Sequence, residues 1–233
     1  MSRPTLLAVA HGSKDPAAKA TITALAREVN RFAPVLKVRV AFIQHAEPSL
    51  GDELSAAGEN AVIVPLLLSN GYHLATDIAG AATAAGARVA GPLGPDTLLV
   101  TALAGRLAEA GVPDGTPVVL AAAGSADPAA QRDAERQAEL LAERLEVPVT
   151  AAFLSAADPR VDEAVAELAA RQHRDVAIAS YLLAPGHFQD QLHGAGARWV
   201  TAPLGGHPAM AGLVIDRYRT ASRRPLPELA IPA

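Results

Sequence analysis

The chain resembles itself at an offset of roughly half its length, and this duplication limits what it can fold into more than any other feature. Residues 6–18 read LLAVAHGSKDPAA, and residues 118–130 read VVLAAAGSADPAA. Further echoes follow in the same order. Ala41-Phe42-Ile43 with Pro48 returns as Ala152-Phe153-Leu154 with Pro159, and LLLSNGYH at 66–73 returns as YLLAPGH at 181–187. Gly91-Pro92-Leu93-Gly94 returns as Ala202-Pro203-Leu204-Gly205. A unit of about 110 residues therefore occurs twice, each copy large enough to form a small domain. The expected division is 1–112 and 116–224, with a break at the Gly- and Pro-rich GVPDGT of 111–116. Residues 225–233 carry three prolines and form a tail that cannot continue a helix.

Within each copy, apolar runs of strand length alternate with longer Ala-rich stretches of helical period, the pattern of a βαβ parallel sheet. The first copy predicts strands near 5–10, 36–43, 61–68 and 88–90, and helices near 16–32, 49–57, 74–85 and 97–110. The second predicts strands near 117–122, 148–153, 176–183 and 198–201, and helices near 129–145, 160–171, 188–194 and 208–222. The expected class is α/β, two tandem duplicated domains, each a four-stranded parallel sheet flanked by helices. Composition agrees: hydrophobic residues make up 50% and aromatics only 3%, so the core is aliphatic, as parallel sheets under Ala-rich helices require.

Cysteine is absent, which excludes disulfides, thiolate metal sites and a cysteine nucleophile; any metal falls to histidine, carboxylate or substrate. Residues 1–10 lack the charged region and long apolar core of a secretion signal, and the longest purely apolar run, 61–68, is far too short to span a bilayer. A soluble cytoplasmic protein is expected. The formal net charge of -4, without a basic run outside Arg223-Arg224, gives no footprint for nucleic acid or for a membrane surface.

His11 directly follows the first apolar run, which places it at the carboxyl end of a strand, where open α/β sheets bind ligands. Asp15-Pro16 then opens a helix whose amino terminus attracts anions. A lone histidine there can equally serve only to fill the turn. His73 follows the third strand and shares the same rim, since strands one and three of such a sheet are usually neighbours. Two imidazoles facing one crevice can bind a divalent ion and accept protons near neutral pH. Asp77, four residues beyond His73, either orients that ring or complements the helix dipole. His45, followed by Glu47, sits past the second strand on the same predicted edge. In the second copy Ala123 replaces His11, whereas His187 remains as the counterpart of His73. His173, His193 and His207 read as exposed or structural, with His207 in a Gly-Gly-His-Pro turn without a partner.

The HGS-x-x-P opening at His11, Gly12, Ser13 and Pro16, with Gly-x-His-x-x-x-Asp at Gly71, His73 and Asp77, resembles the class II tetrapyrrole chelatases. These are the sirohydrochlorin ferrochelatases and cobaltochelatases, and the resemblance covers nearly the whole chain. It implies a macrocycle lying in a cleft between the two domains, and a dication, ferrous or cobaltous, as substrate without a tightly bound cofactor. His11 and His73 are then the catalytic and metal-binding residues. Ser13, Lys14 and His187 are candidate macrocycle contacts, because a polycarboxylate substrate on an acidic chain needs local cations and helix amino termini. The duplication lets one chain build the whole cleft, so a monomer is expected.

Two other readings compete. A His-Gly pair after the first strand also opens the histidine phosphatase family, but that family needs Arg before the His, and this chain has Ala10 there. A non-enzymatic metal or tetrapyrrole carrier would use the same histidines, and sequence does not separate binding from turnover.

Overall fold

A computed structural model of the chain describes residues 4–58, 60–69, 72–172 and 175–223, leaving out the side chains of 72–75 and 172. Two four-stranded, fully parallel sheets form within these bounds. The first contains β1 (Thr5–Ala10), β2 (Val38–Phe42), β3 (Ala61–Pro65) and β4 (Arg88–Val89) in the order β2-β1-β3-β4. The second contains β5 (Val118–Ala122), β6 (Val149–Phe153), β7 (Ala177–Tyr181) and β8 (Trp199–Val200) in the order β6-β5-β7-β8. The intervening helices are α1 (Pro16–Phe32), α2 (Leu50–Ala57), α3 (Tyr72–Ala85) and α4 (Thr97–Glu109), then α5 (Pro128–Leu145), α6 (Val161–Gln172), α7 (His187–Leu192) and α8 (Pro208–Arg223). No helix among the described residues is long and apolar enough to cross a membrane.

The central strands are apolar throughout because both faces are covered. Leu6 and Ala8 of β1 face the interior shared by the two halves, while Leu7 and Val9 face an outer layer with Ile63, Leu54 and Ile78. Each fully buried leucine or isoleucine contributes about 1.5–3 kcal/mol. Two strands are shorter than their apolar runs. The apolar pattern predicts β3 to reach 68 and it ends at Pro65; it predicts β7 to reach 183 and that strand ends at Tyr181. Past the strand ends Leu66 still donates its N–H to the Val9 carbonyl of β1 at 2.7 Å, and Leu67 and Leu182 accept from Leu93 and Leu204 N–H at 2.8 and 2.9 Å, while Leu66–Leu68 and Leu182–Leu183 line the walls between the two halves.

The halves exchange their last helices. α4, which ends the first copy, packs against α5 and β7 of the second, and α8 packs against α1, β3 and β4 of the first. One continuous cluster results, joining Val29 of α1, Leu103 of α4, Leu141 of α5 and Val214 of α8. Polar ties reinforce it. Arg217 of α8 donates to the carbonyls of Pro92 and Leu93 at 2.7 and 2.8 Å and pairs with Asp96 at 2.9 Å. Gln137 of α5, fully buried, accepts from the Asp96 backbone N–H at 2.9 Å, and Tyr218 donates to the Pro4 carbonyl at 2.6 Å.

Candidate functional site

The strand order brings the carboxyl ends of β2, β1 and β3 side by side, with Ala10 level with Phe42 and Val9 with Pro65. His11 is the first residue past β1. Gly12 has φ +98°, a conformation that side chains rarely tolerate, and a Cβ added there would lie 1.7 Å from the Gln44 carbonyl oxygen. That close approach fixes His11 against the loop after β2. The Gln44 N–H donates to the His11 carbonyl at 3.0 Å, and the Gln44 side-chain amide nitrogen lies 2.8 Å from His11 Nε2 and 3.4 Å from Nδ1. An amide N–H donates and does not accept, so this contact suits a ring with Nε2 unprotonated. The ring of His45 stands edge-on to His11, centroids 6.2 Å apart and planes at 78°. Partial burial, and after it the charge of His45, holds the His11 pKa below its ordinary value. At neutral pH His11 is a free base, available to a metal or a proton.

Past His11, the Ser13 hydroxyl accepts from the Asp15 N–H at 3.1 Å and the Asp15 carboxylate caps α1 by accepting from Ala17 N–H at 2.8 Å, with Pro16 in the first turn. The second half repeats the turn. Gly124 has φ +95° with Ser155 oxygen in the same close approach, Ser125 accepts from Asp127 N–H at 3.1 Å, and Asp127 caps α5. His45 and its counterpart Ala156 both adopt left-handed backbone, φ 61° and 57°. The scaffold is therefore duplicated and the imidazoles are not: Ala123 and Ala156 stand where the first half carries His11 and His45.

Cavities open on both rims. One of ≈ 180 Å³ is lined by His11, Gly12, Ser13, Lys19, Ile22, Phe42 and Leu66, and closed from the second half by Leu183, Ala184 and Pro185. Its pseudo-symmetric partner, ≈ 330 Å³, is lined by Ala123, Gly124, Ser125, Ala134 and Phe153, and closed from the first half by Leu66–Ser69. Ala134 stands where Ile22 stands in the first, which makes room. A third, ≈ 280 Å³, places Ser13 beside His187 and the segment leading to α7. His187 opens α7, 2.8 Å from the Gln191 amide nitrogen. α7 is anchored by buried Gln189, which accepts from the Ser180 hydroxyl at 2.6 Å and donates to the Thr201 carbonyl at 2.9 Å.

His73 falls in the first turn of α3, and its side chain lies outside the described residues, as do Gly71, His173 and the tail 225–233. Lys14, Glu47 and Asp77 are exposed. His207 does have a partner: its Nδ1 accepts from Ala209 N–H at 3.2 Å, and its ring packs so closely on Gly105 that an added Cβ would lie 2.5 Å from Nε2. Sequence reasoning missed Gln44 and Lys19. Gln44 directly precedes His45 on the predicted edge, and Lys19 lies one helical turn after Asp15; those positions were the available signals.

The fold and the rim define a duplicated α/β protein in which one of two equivalent strand-end rims carries the His11–His45 pair and the other has Ala123 and Ala156 in its place. The CbiX family model matches residues 5–110 and again 117–221, and the chain belongs to the CbiX family. It is 26% identical over 238 residues to the sirohydrochlorin ferrochelatase of Bacillus subtilis (strain 168), covering 93% of this chain and 91% of that one. A sirohydrochlorin cobaltochelatase of Methanosarcina barkeri is 34% identical over 77 residues, 31% of this chain and 59% of its own. Among solved structures, SirB from Bacillus subtilis with Fe3+ superposes with TM-score 0.80 at 26% identity, covering 95% of this chain and 96% of that chain. SirB from Bacillus subtilis subspecies spizizenii in complex with cobalt shares the fold, with TM-score 0.78 at 20% identity over 96% and 97% of the two chains.

Proposed function

We propose that this chain is a sirohydrochlorin chelatase, a lyase that inserts a ferrous or cobaltous ion into the macrocycle for siroheme or cobalamin synthesis. The observation that carries the reading is His11, a free-base imidazole fixed at the end of β1 in a cavity closed by the other half of the chain, in a protein of the CbiX family. The metal is a substrate, and no resident cofactor takes part.

Insertion requires a hydrated dication to shed water while two pyrrole N–H protons leave, so a ligand and a base must face the ring together. Imidazole serves as both. In this reading His11 and His73 first hold the metal; as it passes to the macrocycle each freed imidazole lone pair takes one pyrrole proton, the N–H electron pair stays on the pyrrole nitrogen to bind the metal, and the protons pass from imidazole to solvent. Ser13 and His187, which share a cavity, contact the macrocycle, the exposed Lys14 on the same loop meets its carboxylates, and Lys19 supplies a further cation in the His11 cavity. The second half contributes a wall through Leu183–Pro185, so a monomer suffices.

The test mixes purified protein anaerobically with sirohydrochlorin and cobaltous or ferrous ion and follows the macrocycle's visible absorbance. Turnover well beyond one equivalent, lost in the His11→Ala, His73→Ala double variant, is expected. A rate equal to the uncatalysed one with both metals overturns the proposal.

A further inference from the structure

We propose that His45 is a ligand of the incoming metal ion, forming with His11 a two-imidazole docking site at the open edge of the first rim. The proposal deepens the chelatase reading and rests on it for the direction of transfer, from the protein to the macrocycle; binding of the ion itself stands on the geometry alone.

Distance supports a shared ion. With metal–nitrogen bonds of about 2.1 Å, ring centres lie about 3.2 Å from the ion, so two imidazoles on one ion have centres about 4.5 Å apart at a right angle, about 5.2 Å at the tetrahedral angle and about 6.4 Å when opposed. The observed 6.2 Å lies inside that interval. Both side chains are exposed, so rotation about their side-chain torsions turns an in-plane nitrogen of each toward a common ion, and the ring planes themselves need not be parallel. Both residues are exposed, so a hydrated ion reaches them without opening the core. The ion replaces the Gln44 amide as the partner of the His11 Nε2 lone pair.

The second half provides an internal control. The left-handed backbone at His45 recurs at Ala156, so the turn itself does not call for histidine. Where the first imidazole is absent, at Ala123, the second is absent too, at Ala156, although the surrounding glycine, serine and aspartate are all retained. Between the two copies of this chain both positions change together, as ligands of one ion would. Imidazole ligands suit cobaltous, ferrous, nickel and zinc ions rather than magnesium or calcium.

The experiment titrates cobaltous ion into the full-length protein without macrocycle, comparing wild type, His11→Ala and His45→Ala by calorimetry and by the cobalt visible spectrum. Ala156 shows that alanine occupies the same backbone, so His45→Ala retains the fold. Cobalt affinity is expected to fall at least about tenfold in each variant, and in turnover assays His45→Ala raises KM for cobalt while leaving KM for sirohydrochlorin near the wild-type value. Cobalt affinity of His45→Ala within twofold of wild type overturns the proposal. Wild-type protein that binds cobalt through both histidines yet fails to turn over sirohydrochlorin overturns the chelatase reading and leaves the metal site standing.

Discussion

Gln44 and His11 are joined twice, once through the backbone, Gln44 N–H to His11 carbonyl at 3.0 Å, and once through the amide nitrogen 2.8 Å from the imidazole Nε2. The glycine between His11 and Ser13 makes both bonds possible, since any side chain there would occupy the space of the Gln44 carbonyl.

Gly12→Ala should therefore destabilise the fold by about 2–4 kcal/mol and displace His11 from its partner. Gly124→Ala meets the equivalent carbonyl at Ser155 and should cost a similar amount of stability, but no imidazole stands beside it. Thermal unfolding with cobalt titration of both variants checks this: stability falls in both, and cobalt affinity only in Gly12→Ala.

The pH dependence of His11 has a definite sign. Its pKa lies below the ordinary 6.5, from partial burial first and the His45 charge second. The unfolded chain thus takes up this proton before the folded one does, and His11 costs stability as pH falls through 6.5, with no effect well above it. In metal-free protein the His11 ring resonances should titrate with a midpoint below 6.5, and His45→Ala, which removes the second cause, should move the midpoint upward toward that value. A midpoint unchanged by His45→Ala would show that the two rings do not sense each other.

Arg217 ties the last helix to the first half through two carbonyls and the Asp96 carboxylate, with both side chains about one-fifth exposed. Asp96 also caps α4, accepting from Leu98 N–H at 2.8 Å. Arg217→Ala leaves these acceptors unpaired and should destabilise by about 2–4 kcal/mol. Arg217→Lys should recover little, because one ammonium cannot reproduce the planar fork. Urea unfolding measures both.

The architecture was legible because parallel strands covered on both faces read as unbroken apolar runs, and β1 and α1 fall at the expected residues. The same rule misplaced the ends of β3 and β7. Leu66 and Leu182 are core residues just past the regular pairing, and Leu66–Leu68 and Leu182–Leu183 also wall a cavity, so the hydrophobic run records burial and not where regular pairing ends. His11 was legible from its place after a strand and its glycine. Gln44 was not, since a neutral amide beside a loop carries no signal until its partner is located. The exchange of α4 and α8 was equally hidden: an amphipathic helix announces that one face is apolar, not which sheet will cover it.

That exchange makes the two copies interdependent. A polypeptide severed between residues 111 and 116 would yield two pieces, each presenting to water the surface that the other's terminal helix shields. Neither is expected to persist alone, whereas co-expressed pieces should assemble by trading those helices, as subunits of a domain-swapped dimer do. Joining two such subunits end to end frees one rim to carry Ala123 and Ala156 where the other keeps His11 and His45, while His187 stays in the second copy.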